Sequence, residues 1–140
     1  MNFREVSGNI DISLVKAASA AATTTITTDV LAMSGFESAM FFTTVATKDV
    51  GNFLTGSQGT DSGGSDMATL AGSKVTAVAD ADIIALDIQE PKDPYLRCDI
   101  TRGVSTAIGE VWAVRYNPRT MPTVWADVLV SLQSPEEGTP

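Results

Sequence analysis

The sequence predicts an all-β protein, an antiparallel β-sandwich of eight or nine short strands. Two observations carry the prediction. Apolar residues recur with a period of two far more often than with the helical period, as in a pleated strand. Turn-forming glycine, proline, serine and aspartate interrupt the chain about every ten residues, the spacing of a sandwich or jelly roll. The 140 residues match the usual size of one domain, and 44% hydrophobic with 19% charged residues is an ordinary globular balance. A single domain over 1–140 is expected, with polar, flexible tails at 1–8 and 133–140.

Ile10, Ile12 and Leu14 alternate with Asp11 and Ser13, which opens the first strand. Over 14–22 the alanine density, with Lys16, Ala17, Ala18, Ser19 and Ala20, allows a helical turn as an alternative. Residues 23–28 are a β-branched run around Ile26, stiff at χ1 and suited to a pleated surface. Met40, Phe41, Phe42, Val45 and Ala46 make 37–47 apolar on both parities, so it reads as a core strand covered on both sides. A strand over 52–58 follows, then the glycine- and serine-rich stretch 59–66, which suits neither strand nor helix and is expected as a flexible surface loop.

Strands are predicted next at 74–78 and 82–89, the second alternating Ile84, Leu86 and Ile88 with Ile83, Ala85 and Asp87. Pro91 and Pro94 lack the donors a central strand needs, so 90–94 is a turn. Leu96, Cys98 and Ile100 then oppose Tyr95, Arg97, Asp99 and Thr101, the clearest half-buried strand of the chain, ended by Arg102 and Gly103. In 110–117, Trp112, Val114 and Tyr116 oppose Val111, Ala113 and Arg115, and the aromatic side is assigned to the core. Pro118 and Pro122 bracket a turn before the apolar run 123–132, and 134–140 is polar.

Seventeen acidic residues against nine basic ones give a formal charge of −8, and no basic cluster longer than a pair occurs. Counterion release at phosphates needs a basic face, so nucleic acid is not an expected partner. No stretch approaches the ~20 apolar residues of a membrane helix, so no membrane partner is expected either. Met1 to Gly8 lacks the apolar core of a secretory signal. The lone cysteine, Cys98, cannot form an intramolecular disulfide and reads as a small buried hydrophobe.

The chain has no histidine, the commonest general base and metal ligand, and Cys98 therefore has no imidazole to activate it. A glycosidase pair of carboxylates is the surviving enzymatic option, but such clefts are lined with aromatic rings, which make up only 6% of this chain. Asp61 and Asp66 flank Gly63 and Gly64 without the alternating ligands and bidentate acid of a calcium loop. No phosphate-binding glycine pattern is present. Neither catalysis, a metal nor a cofactor is expected. Arg97 and Arg115 are expected to pair with Asp99 or Glu110 on the polar faces of their strands, leaving Arg119 for a partner. Trp125 follows the break at Met121 and Pro122 on the parity of Asp127 and Ser131, a setting that suits an interface as well as a core.

Several segments follow one another in order: the Ala/Thr-rich stretch 17–28; Gly35, Phe36, Glu37, Ser38, Ala39, Met40, Phe41, Phe42; the Gly/Ser/Asp loop 59–66; Pro94, Tyr95, Leu96, Arg97, Cys98; Thr101, Arg102, Gly103; and Tyr116, Asn117, Pro118, Arg119 closed by Pro122. Over residues 10–122 this order resembles a family of small tailed-phage virion proteins, the capsid decoration or cement proteins of jelly-roll fold. The resemblance implies a structural, non-enzymatic protein on the outer capsid surface of a virion. It would bind across adjacent major capsid subunits of the common tailed-phage fold after shell expansion, as a homodimer or alternatively a trimer. Trp125, Arg119, Phe3 and Arg4 are the candidate partner contacts. The alternatives are a tail-tube or head–tail connector subunit, and a carbohydrate- or receptor-binding module.

Overall fold

A computed structural model of the chain describes Val6 and residues 8–119. Among them are twelve strands and no helix: β1 (Ile10–Lys16), β2 (Ser19–Ala22), β3 (Ile26–Thr27), β4 (Leu31–Ala32), β5 (Phe36–Val45), β6 (Asn52–Gly59), β7 (Ala68–Thr69), β8 (Val75–Thr76), β9 (Asp82–Gln89), β10 (Tyr95–Arg102), β11 (Thr106–Ile108) and β12 (Val111–Pro118). They form two antiparallel sheets facing each other, a β-sandwich. The helical turn allowed over 14–22 is β2 instead, because Ser19 and Ala22 pair with Ile108 and Thr106 and tertiary pairing overrides alanine's propensity. The strand expected over 23–28 shortens to Ile26–Thr27.

The twelve strands lie along eight passes of the chain. β1 and β2 run along the β12 and β11 line, β3 and β4 both pair with β10, and β7 and β8 both pair with β6. The first sheet orders its passes β1/β2, β11/β12, β5, β9, and the second orders them β3/β4, β10, β6, β7/β8. First pass pairs with eighth, second with seventh, third with sixth and fourth with fifth, so the chain is one long hairpin rolled into two layers.

Local chemistry explains the breaks. Between β3 and β4, Thr28 turns its hydroxyl to accept from the Cys98 N–H at 3.1 Å while its own N–H donates to the Cys98 carbonyl at 3.0 Å. Between β7 and β8, Ser73 Oγ accepts from the Gly56 N–H at 3.1 Å. Both edges of the second sheet are thus interrupted by a side chain that completes the ladder, which blunts them against pairing with other chains. On the β11/β12 line, Gly109 donates to the Thr44 carbonyl at 3.0 Å and its carbonyl accepts from Thr43 Oγ1 at 3.2 Å. A Cβ at Gly109 would stand 2.2 Å from Thr44 Oγ1, so a side chain here would turn the Thr44 hydroxyl away.

Phe41, Val45 and Val111 of the first sheet meet Leu54, Leu96, Cys98 and Ile100 of the second in a fully buried core. Burying a side chain of this size contributes about 1.5–3 kcal/mol. Ile84, Leu86 and Ile88 point inward, and Gly56 lies beneath them, where a Cβ would come within 2.8 Å of Leu86. Two arginines fasten the ends of the sandwich. Arg115 sits on the inner parity of β12 and pairs with Asp11 of β1 instead of Glu110, correcting the expected partner. Its Nη1 donates to the Ala32 carbonyl of β4 at 2.7 Å, joining the two sheets, and its guanidinium lies 4.7 Å from the Phe36 ring centroid. At the opposite end Arg102, 5% exposed, donates to the carbonyls of Thr24 (2.6 Å), Ala20 (2.8 Å) and Thr106 (3.2 Å) and to Thr24 Oγ1 (2.7 Å).

Candidate functional site

The two outer faces of the sandwich differ in chemistry. On the second sheet the outward residues are mostly polar: Thr55, Ser57, Arg97, Asp99 and Thr101 lie there, Arg97 Nε stands 3.6 Å from Asp99 Oδ1, and Lys74 Nζ covers the Phe53 ring at 4.1 Å. On the first sheet, Leu14, Trp112, Phe42 and Ala85 stand in register across all four passes, followed by Ile12, Val114, Met40 and Asp87. The inner parity of the same strands holds Asp11, Ala39, Phe41, Val111 and Ala113, all buried. Trp112 and Tyr116, assigned to the core from the sequence, are therefore half-buried on this outer face. Leu14 is 47% exposed and Ile83 of the edge strand β9 is 69% exposed. No other described strand packs over the face.

Polar atoms on this face are few and engaged. Tyr116 donates from its hydroxyl to Asp87 Oδ1 at 2.5 Å, and burial together with that carboxylate raises the phenol above its ordinary pKa. Farther along the same passes the side chains become small. Ala18, Ala20, Thr44, Ala46, Ala81, Ala107 and Gly109 line a hollow of about 540 Å³. One half of the face thus stands proud and the other is recessed.

A second apolar area crowns one end of the sandwich. Val50, Val78 and Val104 are 77%, 79% and 42% exposed, on three separate loops. Fully buried Asn52 ties these loops together: Nδ2 donates to the Thr47 carbonyl at 3.0 Å, Oδ1 accepts from the Val104 N–H at 3.1 Å, and its carbonyl accepts from Ala77 at 3.5 Å. Gly51 and Gly103 meet backbone to backbone, with a 2.8 Å hydrogen bond, where a Cβ on Gly103 would lie 2.9 Å from the Gly51 carbonyl oxygen. The valines are presented on a rigid base.

At the opposite end Arg119 lines a cavity of about 380 Å³ with Phe36, Glu37 and the 90–94 turn. Its guanidinium lies 3.8 Å from Glu37 Oε1, both side chains well exposed, so the arginine expected to stand ready for a partner already has a loose ion pair. The loop expected to be flexible is internally bonded. Asp66 accepts from Thr60 Oγ1 (2.5 Å), Thr60 N (2.9 Å) and Asp61 N (3.0 Å), and Asp61 accepts from Ser65 Oγ (2.7 Å) and Ser65 N (3.1 Å). The Thr60 hydroxyl, with the two amides, lowers the Asp66 carboxyl to about 2, and the Ser65 hydroxyl lowers Asp61. Cys98 is buried in the core, and desolvation pushes its thiol far above the ordinary range. Among the described residues no group of three or more Cys, Asp or Glu could hold a metal ion.

Of the partner contacts expected from the sequence, Trp125, Phe3 and Arg4 lie outside the described residues, and Arg119 sits apart from both apolar areas. The outer face of the first sheet was missed, although its signal is present: β5 and β12 are apolar on both parities, as a strand sandwiched between a core and a partner would be, and β1 turns its apolar parity, Ile10, Ile12 and Leu14, to that same outer face. No model of a known protein family matches the chain, and no curated protein sequence matches it.

Proposed function

We propose that this protein is a structural virion protein of jelly-roll fold that binds the outside of a tailed-phage capsid across adjacent major capsid subunits and stabilises the expanded shell. The observation that carries the reading is the pair of apolar surfaces on the sandwich: the outer face of the first sheet, suited to joining copies into an assembly, and the valine tip held by Asn52, which such an assembly can set against the shell. Two joined copies present two such tips, and a clamp needs at least two contacts. The rolled hairpin with its eight passes has the pairing of two Greek keys, which supports the jelly-roll assignment. The phage context rests on the resemblance of the motif order. Repetition over a closed shell would turn modest single contacts into tight attachment through avidity.

Cosedimentation with expanded capsids lacking the protein tests this. Saturation at a symmetry-related copy number, with a higher temperature of shell rupture, is the expected result; failure to bind capsids refutes it. Formation of rings by the purified protein would favour a tail-tube or connector subunit instead. One observation favours a second reading: Trp112, Phe42 and Tyr116 form an aromatic strip on one face of a sheet, as a carbohydrate-binding module would. The surrounding aliphatic side chains offer sugar hydroxyls few partners, and Asp87 is already taken by Tyr116. Retention on a polysaccharide column would reverse the preference.

A further inference from the structure

We infer that the outer face of the first sheet is the contact between two copies of this chain, related by a two-fold axis that lies in the plane of the interface and crosses the strands near Thr44. The inference rests on reading that face as a protein interface and is independent of the capsid.

Shape is the first reason. The same face carries a raised half, led by Trp112, Phe42 and Leu14, and a recessed half lined by Ala20, Ala46 and Ala107. A two-fold rotation about the boundary sets the raised half of each copy over the hollow of the other, so one surface is complementary to itself, as an isologous dimer requires. Area is the second. Four passes at ~4.8 Å spacing and about nine residues at ~3.3 Å each give roughly 600 Å² of plan area per copy, so a pair covers about 1,200 Å². Specific interfaces start near ~1,000 Å².

Charge is the third. A chain of net charge −8 repels its own copies unless the meeting surfaces are neutral. The two full rows contain one ionisable group, Asp87, whose carboxylate is engaged by Tyr116. The second sheet cannot serve in the same way, because its outer face presents Arg97 and Asp99 and its edges are broken.

Sedimentation velocity of the full chain tests the inference. The expected result is a species of twice the chain mass. Leu14→Glu, which buries an unpaired carboxylate, and Ala107→Trp, which fills the hollow, each raise the dissociation constant by at least about tenfold. Both positions are partly or well exposed, so circular dichroism and thermal unfolding of the variants should match the parent. Thr44→Cys should be joined to its copy by a short bifunctional thiol crosslinker, because facing sheets lie about 10 Å apart, whereas Gln89→Cys, at the far end of the face, should not. A monomer at all concentrations, a trimer, or a dimer indifferent to both Leu14→Glu and Ala107→Trp overturns the inference; the last would place the contact elsewhere, and a concentration-independent monomer with Trp112 shielded would assign the face to the chain's own segment 123–132. A monomer that still saturates capsids would sink this inference alone, and a dimer that ignores capsids would sink only the capsid reading.

Discussion

Replacing Arg102 with methionine should cost about 2–4 kcal/mol of folding stability, the balance of lost hydrogen bonds against the relieved desolvation of a cation. The side chain is 5% exposed and makes four hydrogen bonds, three of them to carbonyls of Ala20, Thr24 and Thr106. The bond to Thr106 is buried, so methionine strands that acceptor at a cost of about 1–3 kcal/mol. Water can reach Ala20 and Thr24 in part, which limits their loss to about 0.5–1.5 kcal/mol per bond. No carboxylate among the described residues pairs with Arg102, so removing the charge returns part of its desolvation penalty. The assay is urea unfolding followed by circular dichroism, where this loss lowers the midpoint by about 1–2 M at unchanged slope. Arg102→Lys should recover less than half, because one ammonium cannot span three carbonyls. A methionine variant as stable as the parent would show that desolvation cancels the bonds, and the claim that Arg102 fastens this end of the sandwich would fall.

Three further outcomes are expected. Ala81 holds a left-handed backbone at φ 55° where its N–H bonds the Ala46 carbonyl, so Ala81→Gly should stabilise the fold by about 0.5–1 kcal/mol, read as a higher urea midpoint. Asp66 is lowered from 3.8 to about 2 when folded, so its contribution to the 60–66 loop is full above pH 4 and is lost as pH falls toward 2; carboxyl chemical shifts should titrate there, and a midpoint near 4 would contradict the hydrogen-bond network. Cys98 should react with a thiol reagent at pH 8 only after unfolding, at the rate of global opening; fast reaction of the native protein would place it outside the core.

Strand positions were largely legible in the sequence, and side-chain direction was not. The strand over 82–89 has the predicted bounds because a one-sided alternation meets turns at both ends. The strands around Phe42 and Trp112 are apolar on both parities, so periodicity locates them without saying which side is inside, and around Leu14 the alternation is one-sided but its apolar parity faces outward. Asp11 and Arg115 settle the choice by turning inward as a pair 104 residues apart in sequence, a contact with no local signature. The two-residue strands β4, β7 and β8 are short because their partners β10 and β6 impose the pairing. The candidate surface was visible as excess apolar character and became a surface only when the inner parity was known.

The accessibility of Trp112 is the most direct measurement on the claim that the outer face of the first sheet is an assembly surface. With Trp125→Phe leaving Trp112 as the single indole, acrylamide quenching of the assembled protein is compared with that of the same protein carrying Leu14→Glu. The expected result is a blue-shifted, poorly quenched indole in the parent and a red-shifted, readily quenched one in the variant. Equal, strong quenching in both would mean that Trp112 faces water in every state, and that the face is not an interface.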